Sequence, residues 1–137
     1  MADGVCIEGG GFGGTAAAAL PWLVKAPLLV YWGDIDAAGF EILDGFRADG
    51  VPAVSMLMEM ATFKQYERFG TSLDRRGTPL GPGTRRDLPH LTAGERAMYH
   101  ALTDRAWKAH RRIEQERIPL ADALAALRLL QPRHACV

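Results

Sequence analysis

Two aspartates one residue apart, Asp34 and Asp36, are the residues of this sequence best suited to chemistry. They follow residues 28–31, an apolar run rich in β-forming residues that predicts a buried strand. Residues i and i+2 of an extended chain point the same way, so both carboxylates can face one cation. Magnesium is commonly held by one or two carboxylates together with substrate phosphate oxygens.

The elements around this pair predict where it lies. Strands are predicted at residues 5–8, from Pro27 to the aspartates and over 53–58, with helices over 15–20 and after Asp36. Strands that alternate with helices favour a parallel sheet with right-handed crossovers. Because the carboxyl ends of such strands carry the chemistry of α/β folds, Glu59 is expected near the aspartates. The alternative for Glu59 is a helix N-terminal carboxylate, and for the aspartates a helix cap.

The second half of the chain is expected to be mainly helical. A helix is predicted over 60–69 and an irregular loop over 71–89, which contains two arginine pairs. Thr92 and Glu95 form a capping-box pattern. It predicts a long helix with one apolar face and a charged end at 110–117; the face comprises Met98, Leu102, Ala106, Ala109 and Ile113. Pro119 is well placed to begin a last helix, lined on one side by Leu120, Leu124 and Leu127.

Charge is distributed unevenly along a chain with no net charge. Residues 1–63 hold two basic and eight acidic residues, and residues 64–137 hold fourteen basic and eight acidic ones, which gives −6 and +6. An acidic cluster beside a basic half suits a metal-dependent enzyme that acts on a polyanion, although charged helix faces are often only solvated. Cys6 and Cys136 have no zinc-type spacing, and no signal peptide or membrane span is evident, which favours the cytoplasm.

A glycine-rich stretch gives a competing interpretation. Gly9, Gly11 and Gly14 match G-x-G-x-x-G after a predicted strand, and Asp34 lies twenty residues further on. This is the pattern of a dinucleotide-binding βαβ unit, with the pyrophosphate at a helix N-terminus. It gives Asp36 no role and leaves no room for a substrate domain, so it is the less favoured alternative.

These motifs together resemble a known family. The strings Y-W-G-D-I-D at 31–36, G-F at 39–40, S-M-L-M at 55–58 and E-Q-E-R-I at 114–118 resemble the C-terminal Toprim domain of JetD, the nuclease subunit of bacterial Wadjet anti-plasmid systems. That Toprim domain is itself similar to those of topoisomerase VI A subunits and Spo11. The likeness extends from about residue 5 to residue 130.

The resemblance implies a Toprim-like α/β core over residues 1–89 and a helical C-terminal extension over 90–137. It implies a DNA endonuclease that uses Mg²⁺ or Mn²⁺, with closed circular plasmid as substrate and SMC-type Wadjet subunits as partners. Metal ligands are expected at Asp34, Asp36, Glu59 and Glu114, and catalytic roles at Asp34, Asp36 and Glu116.

The sequence also departs from the family pattern. The strand that ends in the family's catalytic glutamate is expected well before the glycines, and Glu8 lies too close to Asp34 to replace it. The chain therefore resembles an N-terminally truncated member, and by itself it is expected to be a weak or inactive nuclease. An unpaired sheet edge would favour a homodimer. The alternative function is a non-catalytic nucleic-acid-binding or assembly module.

Overall fold

Short helices alternate with the strands of a small parallel sheet in a computed structural model that describes residues 4–7 and 18–131. The helices are α1 (Pro21–Val24), α2 (Ala37–Ala48), α3 (Met60–Tyr66), α4 (Ala93–Leu102) and α5 (Leu120–Leu130). The strands are β1 (Val30–Tyr31) and β2 (Val54–Ser55), and 3-10 turns occur at Glu67–Phe69 and Gln115–Arg117.

The two strands confirm the predicted parallel α/β arrangement. Val30 lies opposite Val54 and Tyr31 opposite Ser55. Both strands are shorter than predicted. β2 ends early because Leu57 adopts a left-handed backbone conformation with φ 56°, which an extended strand does not allow. The end of β1 nevertheless leads directly to the two aspartates, as expected.

The first predicted strand is not formed where the structure describes it. Residues 5–7 have no strand pairing, and Val5 and Ile7 are 80% and 53% exposed. The prediction of a strand there is therefore wrong for these three residues, because their apolar side chains pack against no neighbouring strand. Glu8 lies outside the described residues, as do residues 15–17 of the predicted first helix.

The buried cluster joins the sheet to α2, α3 and α4. Its fully buried members include Phe40 and Leu43 of α2, Phe63 of α3 and Met98 of α4, each at most 1% exposed. The same cluster includes Ile113, so the chain beyond α4 packs into the core that supports the aspartates.

The long helix predicted after Thr92 is wrong beyond residue 102. The capping box forms as expected: the Thr92 hydroxyl accepts from the Glu95 N–H, and the Glu95 carboxylate accepts from the Thr92 N–H. The helix ends because the Thr103 hydroxyl bonds back to the Tyr99 carbonyl at 2.8 Å and the Asp104 carboxylate accepts from a backbone N–H two residues on. Residues 110–117 are therefore not the charged end of that helix.

The last helix begins after Pro119 as predicted, but the side that carries its predicted leucines is largely exposed. Leu120 and Leu124 are 67% and 46% exposed, whereas Ala123 is 3% exposed. The helix is held instead through Asp122, whose carboxylate accepts from the Tyr66 hydroxyl at 2.7 Å.

Candidate acidic site at the end of strand β1

Asp34 and Asp36 lie on one side of an extended segment, as their spacing predicts. Ile35 between them is fully buried, and its backbone pairs with Ile113 through N–H···O bonds of 2.9 and 3.1 Å. Asp36 keeps extended dihedrals (φ −149°, ψ 172°) and caps α2, with its Oδ1 accepting from the Gly39 N–H at 2.7 Å. Asp36 therefore caps helix α2, and both carboxylates also lie on the same side of the segment.

The guanidinium of Arg112 lies between the two carboxylates. Its Nη2 donates to Asp34 Oδ2 at 2.8 Å, and its Nε is 3.6 Å from Asp36 Oδ2. The Arg112 side chain is only 10% exposed, and its Nε is buried without a hydrogen-bond partner. The two aspartates thus converge on one buried cation, and the contact to Asp36 is ionic without a hydrogen bond.

Backbone pairing on both sides positions Arg112. Its own N–H and carbonyl pair with Thr71 at 3.1 and 2.9 Å, while the next residue, Ile113, pairs with Ile35. Adjacent residues of an extended segment point in opposite directions, so Ile113 enters the core and Arg112 faces the aspartates. Residues 112–113 therefore link the loop after α3 to the segment that carries the acidic pair.

Backbone groups hold the other oxygen of each aspartate. Asp34 Oδ1 accepts from the Gln115 N–H at 2.9 Å, as Asp36 Oδ1 does from Gly39. This leaves the Oδ2 atom of each residue directed at Arg112. The pair is therefore pre-oriented by main-chain donors, with its remaining oxygens on one side.

Burial and charge alter proton affinities at this site. Burial raises the pKa of Asp36, and the neighbouring charge of Asp34 adds to the effect, against the Gly39 hydrogen bond and Arg112, which lower it. Burial and the two aspartates also raise the pKa of Tyr31, whose hydroxyl donates to the Gly39 carbonyl at 3.1 Å. Burial tends to lower the pKa of Arg112, but the charges of Asp34 and Asp36 outweigh it and raise that pKa.

Glycine is required at position 39 for a local reason. A Cβ there would collide with the Asp34 backbone carbonyl and come within 3.3 Å of Asp36 Oδ1. A glycine lets another backbone come close because it has no Cβ. The structure identifies that backbone as the segment carrying the aspartates.

The two glutamates of the E-Q-E-R motif differ in their surroundings. Glu114 lies near the site, with Oε1 3.6 Å from Arg112 Nη2 and Oε2 3.6 Å from Arg117 Nε. Glu116 is exposed in the 3-10 turn and takes part in no hydrogen bond or ion pair with the described residues. Of the two, only Glu114 is brought to the charged network.

Glu59 is placed at a helix start. It precedes α3, and its carboxylate lies against Gly94 in the first turn of α4, where a Cβ would be 2.7 Å from Glu59 Oε1. Glu59 is not among the carboxylates within 4.0 Å of Arg112 in the described structure. Glu59 therefore lies where the alternative interpretation puts it, as a carboxylate at a helix N-terminus.

The donor set can be compared with what Mg²⁺ requires. Two hard carboxylate oxygens converge on one cationic position, which fits an ion bound by one or two carboxylates and a substrate phosphate. Over residues 4–7 and 18–131, no three His, Cys, Asp or Glu side chains are grouped as a metal-ligand set. The two aspartates therefore fit a metal site whose remaining ligands come from a substrate. The guanidinium of Arg112 lies at the position between them that such a cation would take.

The glycines of the dinucleotide pattern, Gly9, Gly11 and Gly14, lie outside the described residues. Asp34, which that alternative assigns to a ribose hydroxyl, has both oxygens bonded within the chain, one to Arg112 and one to the Gln115 N–H. The structure thus gives Asp34 a different set of partners.

Sequence reasoning missed Arg112 and Tyr31. Arg112 was assigned to the end of a helix, and only its alternation with the apolar Ile113 could have signalled an extended segment. A second buried network was also missed: Glu95 accepts from Arg47 at 2.5 Å and from the Ser55 hydroxyl. Burial tends to raise the pKa of Glu95. Hydrogen bonds from Arg47, Ser55 and the Thr92 N–H outweigh this effect and lower the pKa to about 2.

The fold and site define an α/β domain with a paired-aspartate centre at the carboxyl end of a parallel strand. A family model described as Wadjet protein JetD, C-terminal, matches residues 1–127. The chain therefore belongs to the JetD C-terminal family of the Wadjet system. A search of curated proteins finds no match to it. In the part of the chain that the structure describes, no helix is both long and apolar enough to cross a bilayer.

Proposed function

We propose that this chain is the nuclease domain of a Wadjet-type anti-plasmid system, with a Toprim-like core, and that Asp34 and Asp36 hold the Mg²⁺ or Mn²⁺ used to cleave DNA. The observation that supports this most is the convergence of both Oδ2 atoms on one buried cation. When bound, such an ion polarises the scissile phosphate and promotes ionisation of a bound water. Family membership supports a role in the Wadjet system, and the proposal includes closed circular plasmid as substrate and SMC-type Wadjet subunits as partners.

The residues of the chain would prepare the site before DNA arrives. The N–H groups of Gln115 and Gly39 fix one oxygen of each aspartate, which lowers the entropy lost when the other oxygens bind a ligand. Arg112 balances the two negative charges while the site lacks an ion. Glu114, held between Arg112 and Arg117, would be an outer carboxylate able to accept a hydrogen bond from water at the site.

A non-catalytic nucleic-acid-binding or assembly module is the second candidate. The observation that favours it is the absence, among the described residues, of a third acidic ligand grouped with the pair. Neutralised by Arg112, the aspartates would then have only a structural role as a cap and an ion pair. The two functions differ in whether the aspartates bind a divalent ion.

Metal binding can be tested without catalysis. Mn²⁺ added to isotopically labelled protein should broaden the NMR signals of residues around 33–39 and 112–115 before others. Asp34→Asn and Asp36→Asn should each abolish this broadening, because an amide keeps the shape but loses the charge. Glu59→Gln is the matched control, since its carboxylate lies against Gly94 instead of beside Arg112.

A cleavage assay then tests the chemistry. Supercoiled plasmid with Mg²⁺ should be nicked by the wild-type protein assembled with its Wadjet partners, and not by the assembly that carries Asp36→Asn. Broadening that persists in both aspartate variants, or nicking that survives Asp36→Asn, would contradict the proposed site. Loss of broadening without any nicking would favour a metal-binding module that does not cleave.

A further inference from the structure

Arg86 lies between two neighbouring clefts. One, of about 420 Å³, is lined by Asp36, Glu41, Arg111 and the loop over residues 80–84. The other, of about 360 Å³, is lined by Arg96, His100 and residues 87–89. Arg86 contributes to both, so one basic side chain links the surroundings of Asp36 to a second concave surface.

The second cleft is basic. Arg86 and Arg96 face a single lining carboxylate, Asp87. A third arginine, Arg85, is close by, since its Nη2 donates to the His100 carbonyl at 2.9 Å. Burial, together with the charges of Arg85 and Arg96, lowers the pKa of His100. The cleft thus presents positive charge in excess of what its own acids neutralise.

Arg86 and Arg96 differ from the arginines that hold the fold together. The guanidinium of Arg47 bonds to the buried carboxylate of Glu95, that of Arg112 bonds to the partly buried carboxylate of Asp34, and that of Arg111 donates to three backbone carbonyls. By contrast, Arg86 is 71% exposed with its Nε 3.7 Å from Glu41, too far for a hydrogen bond. Arg96 makes one weak bond, from Nη2 to the Leu91 carbonyl at 3.3 Å. Both therefore retain donors for a ligand.

We infer that the cleft between Arg86 and Arg96 binds the phosphodiester backbone of DNA next to the segment held at Asp36, an inference that rests on the proposed function. Arginine is well suited to this role because its planar fork matches phosphate oxygens. Contacts to phosphates fix the register of DNA on a protein without reading its sequence. Arg86 would guide the strand between the acidic pair and the basic cleft.

The test measures DNA binding in EDTA, so it does not depend on the metal or on cleavage. Anisotropy of a labelled duplex is recorded for the wild type and for the double variant Arg86→Gln/Arg96→Gln. The matched control is Arg75→Gln/Arg76→Gln, which removes two exposed arginines of the loop that also carries Arg86; they line neither cleft. Both pairs of arginines are exposed enough for the variants to fold, which thermal melting checks.

Affinity should fall at least tenfold in the Arg86/Arg96 variant and less than twofold in the control. The slope of log affinity against log salt should fall by about two in the first variant, one for each lost phosphate contact. Equal losses in both variants, or a wild type that does not bind DNA, would overturn the inference. Displacement of the DNA by polyglutamate as readily as by unlabelled duplex would also overturn it.

This result is separable from the proposed function. If DNA binding depends on Arg86 and Arg96 while Mn²⁺ fails to broaden signals near Asp34, the DNA-binding cleft is supported and the proposed metal site is refuted. If Mn²⁺ binds but neither double arginine variant changes the affinity for DNA, the proposed nuclease function is retained and the DNA-binding cleft is refuted.

Discussion

Replacing Arg112 with methionine tests the role of the buried guanidinium. Methionine keeps most of the side-chain volume and removes the charge shared by Asp34 and Asp36. The three side chains are 10%, 21% and 16% exposed, respectively, so water screens the remaining carboxylates only partly. Removing one partner of a buried ion pair costs roughly 3–5 kcal/mol.

The lower end of that range applies here. Asp34 and Asp36 keep their backbone hydrogen bonds in the variant, and only one of the two contacts that Arg112 makes with them is a hydrogen bond. A loss of about 3 kcal/mol in a chain of this length lowers the melting temperature by roughly 10 °C. Urea unfolding and calorimetry at pH 7 measure both quantities.

Divalent metal should reverse much of this loss. In the variant the carboxylates are free of their internal cation, so Mn²⁺ at about one hundred times its Kd would add roughly 2.7 kcal/mol of stability by mass action. In the wild type Arg112 competes for the same oxygens, and the same metal concentration should stabilise less. A larger stabilisation by Mn²⁺ in the variant than in the wild type would show that Arg112 and the metal compete for the two aspartates. An ordinary ion pair would show no such difference.

Arg117→Met is the matched control. Arg117 is 66% exposed, and among the described residues its guanidinium pairs only with Glu114, at 3.6 Å. Its loss should therefore change stability by less than about 0.5 kcal/mol. A change below about 1 kcal/mol in Arg112→Met would refute the reasoning on stability. An equal rise in melting temperature with Mn²⁺ in the variant and the wild type would refute competition for the aspartates.

Two further predictions concern the supporting structure. Because the folded-state pKa of Glu95 is about 2, against 4.5 ordinarily, its contribution of up to roughly 3 kcal/mol is complete above pH 4.5 and is lost as pH falls towards 2. Urea melts of Glu95→Gln should therefore differ from wild type at pH 7 and converge near pH 2, whereas exposed Glu116→Gln should match wild type throughout. Gly39→Ala should destabilise by more than about 1 kcal/mol because its Cβ meets backbone, while Gly45→Ala, with open space in the same helix, should stabilise by up to about 1 kcal/mol. A stable Gly39→Ala protein would contradict the close approach.

The sequence predicted the features that depend on neighbouring residues. The alternation around Ile35 placed both aspartates on one side, and the Thr92–Glu95 pattern predicted a capping box that forms. It did not predict where helix α4 ends, because Thr103 and Asp104 stop it with side-chain bonds to backbone that compete with the helix.

The partner of the acidic pair was the main feature that sequence alone did not predict. Arg112 is 78 residues from Asp34 along the chain, and its alternation with the apolar Ile113 is its only local signal. It is selected by the antiparallel pairing of Ile113 with Ile35, a tertiary contact that no periodicity encodes.

Arg112 also accounts for how two partly buried carboxylates can lie side by side. Two aspartates facing the same space repel each other, and burial already raises the pKa of Asp36. A buried arginine removes that conflict, but incompletely, because its Nε has no hydrogen-bond partner and stands 3.6 Å from Asp36. A buried donor left unpaired costs about 1–3 kcal/mol, so the contact to Asp36 is the weaker half of the network. Asp36 Oδ2 is therefore the oxygen most easily released to a divalent ion, and Asp36 also lines the cleft that leads to Arg86.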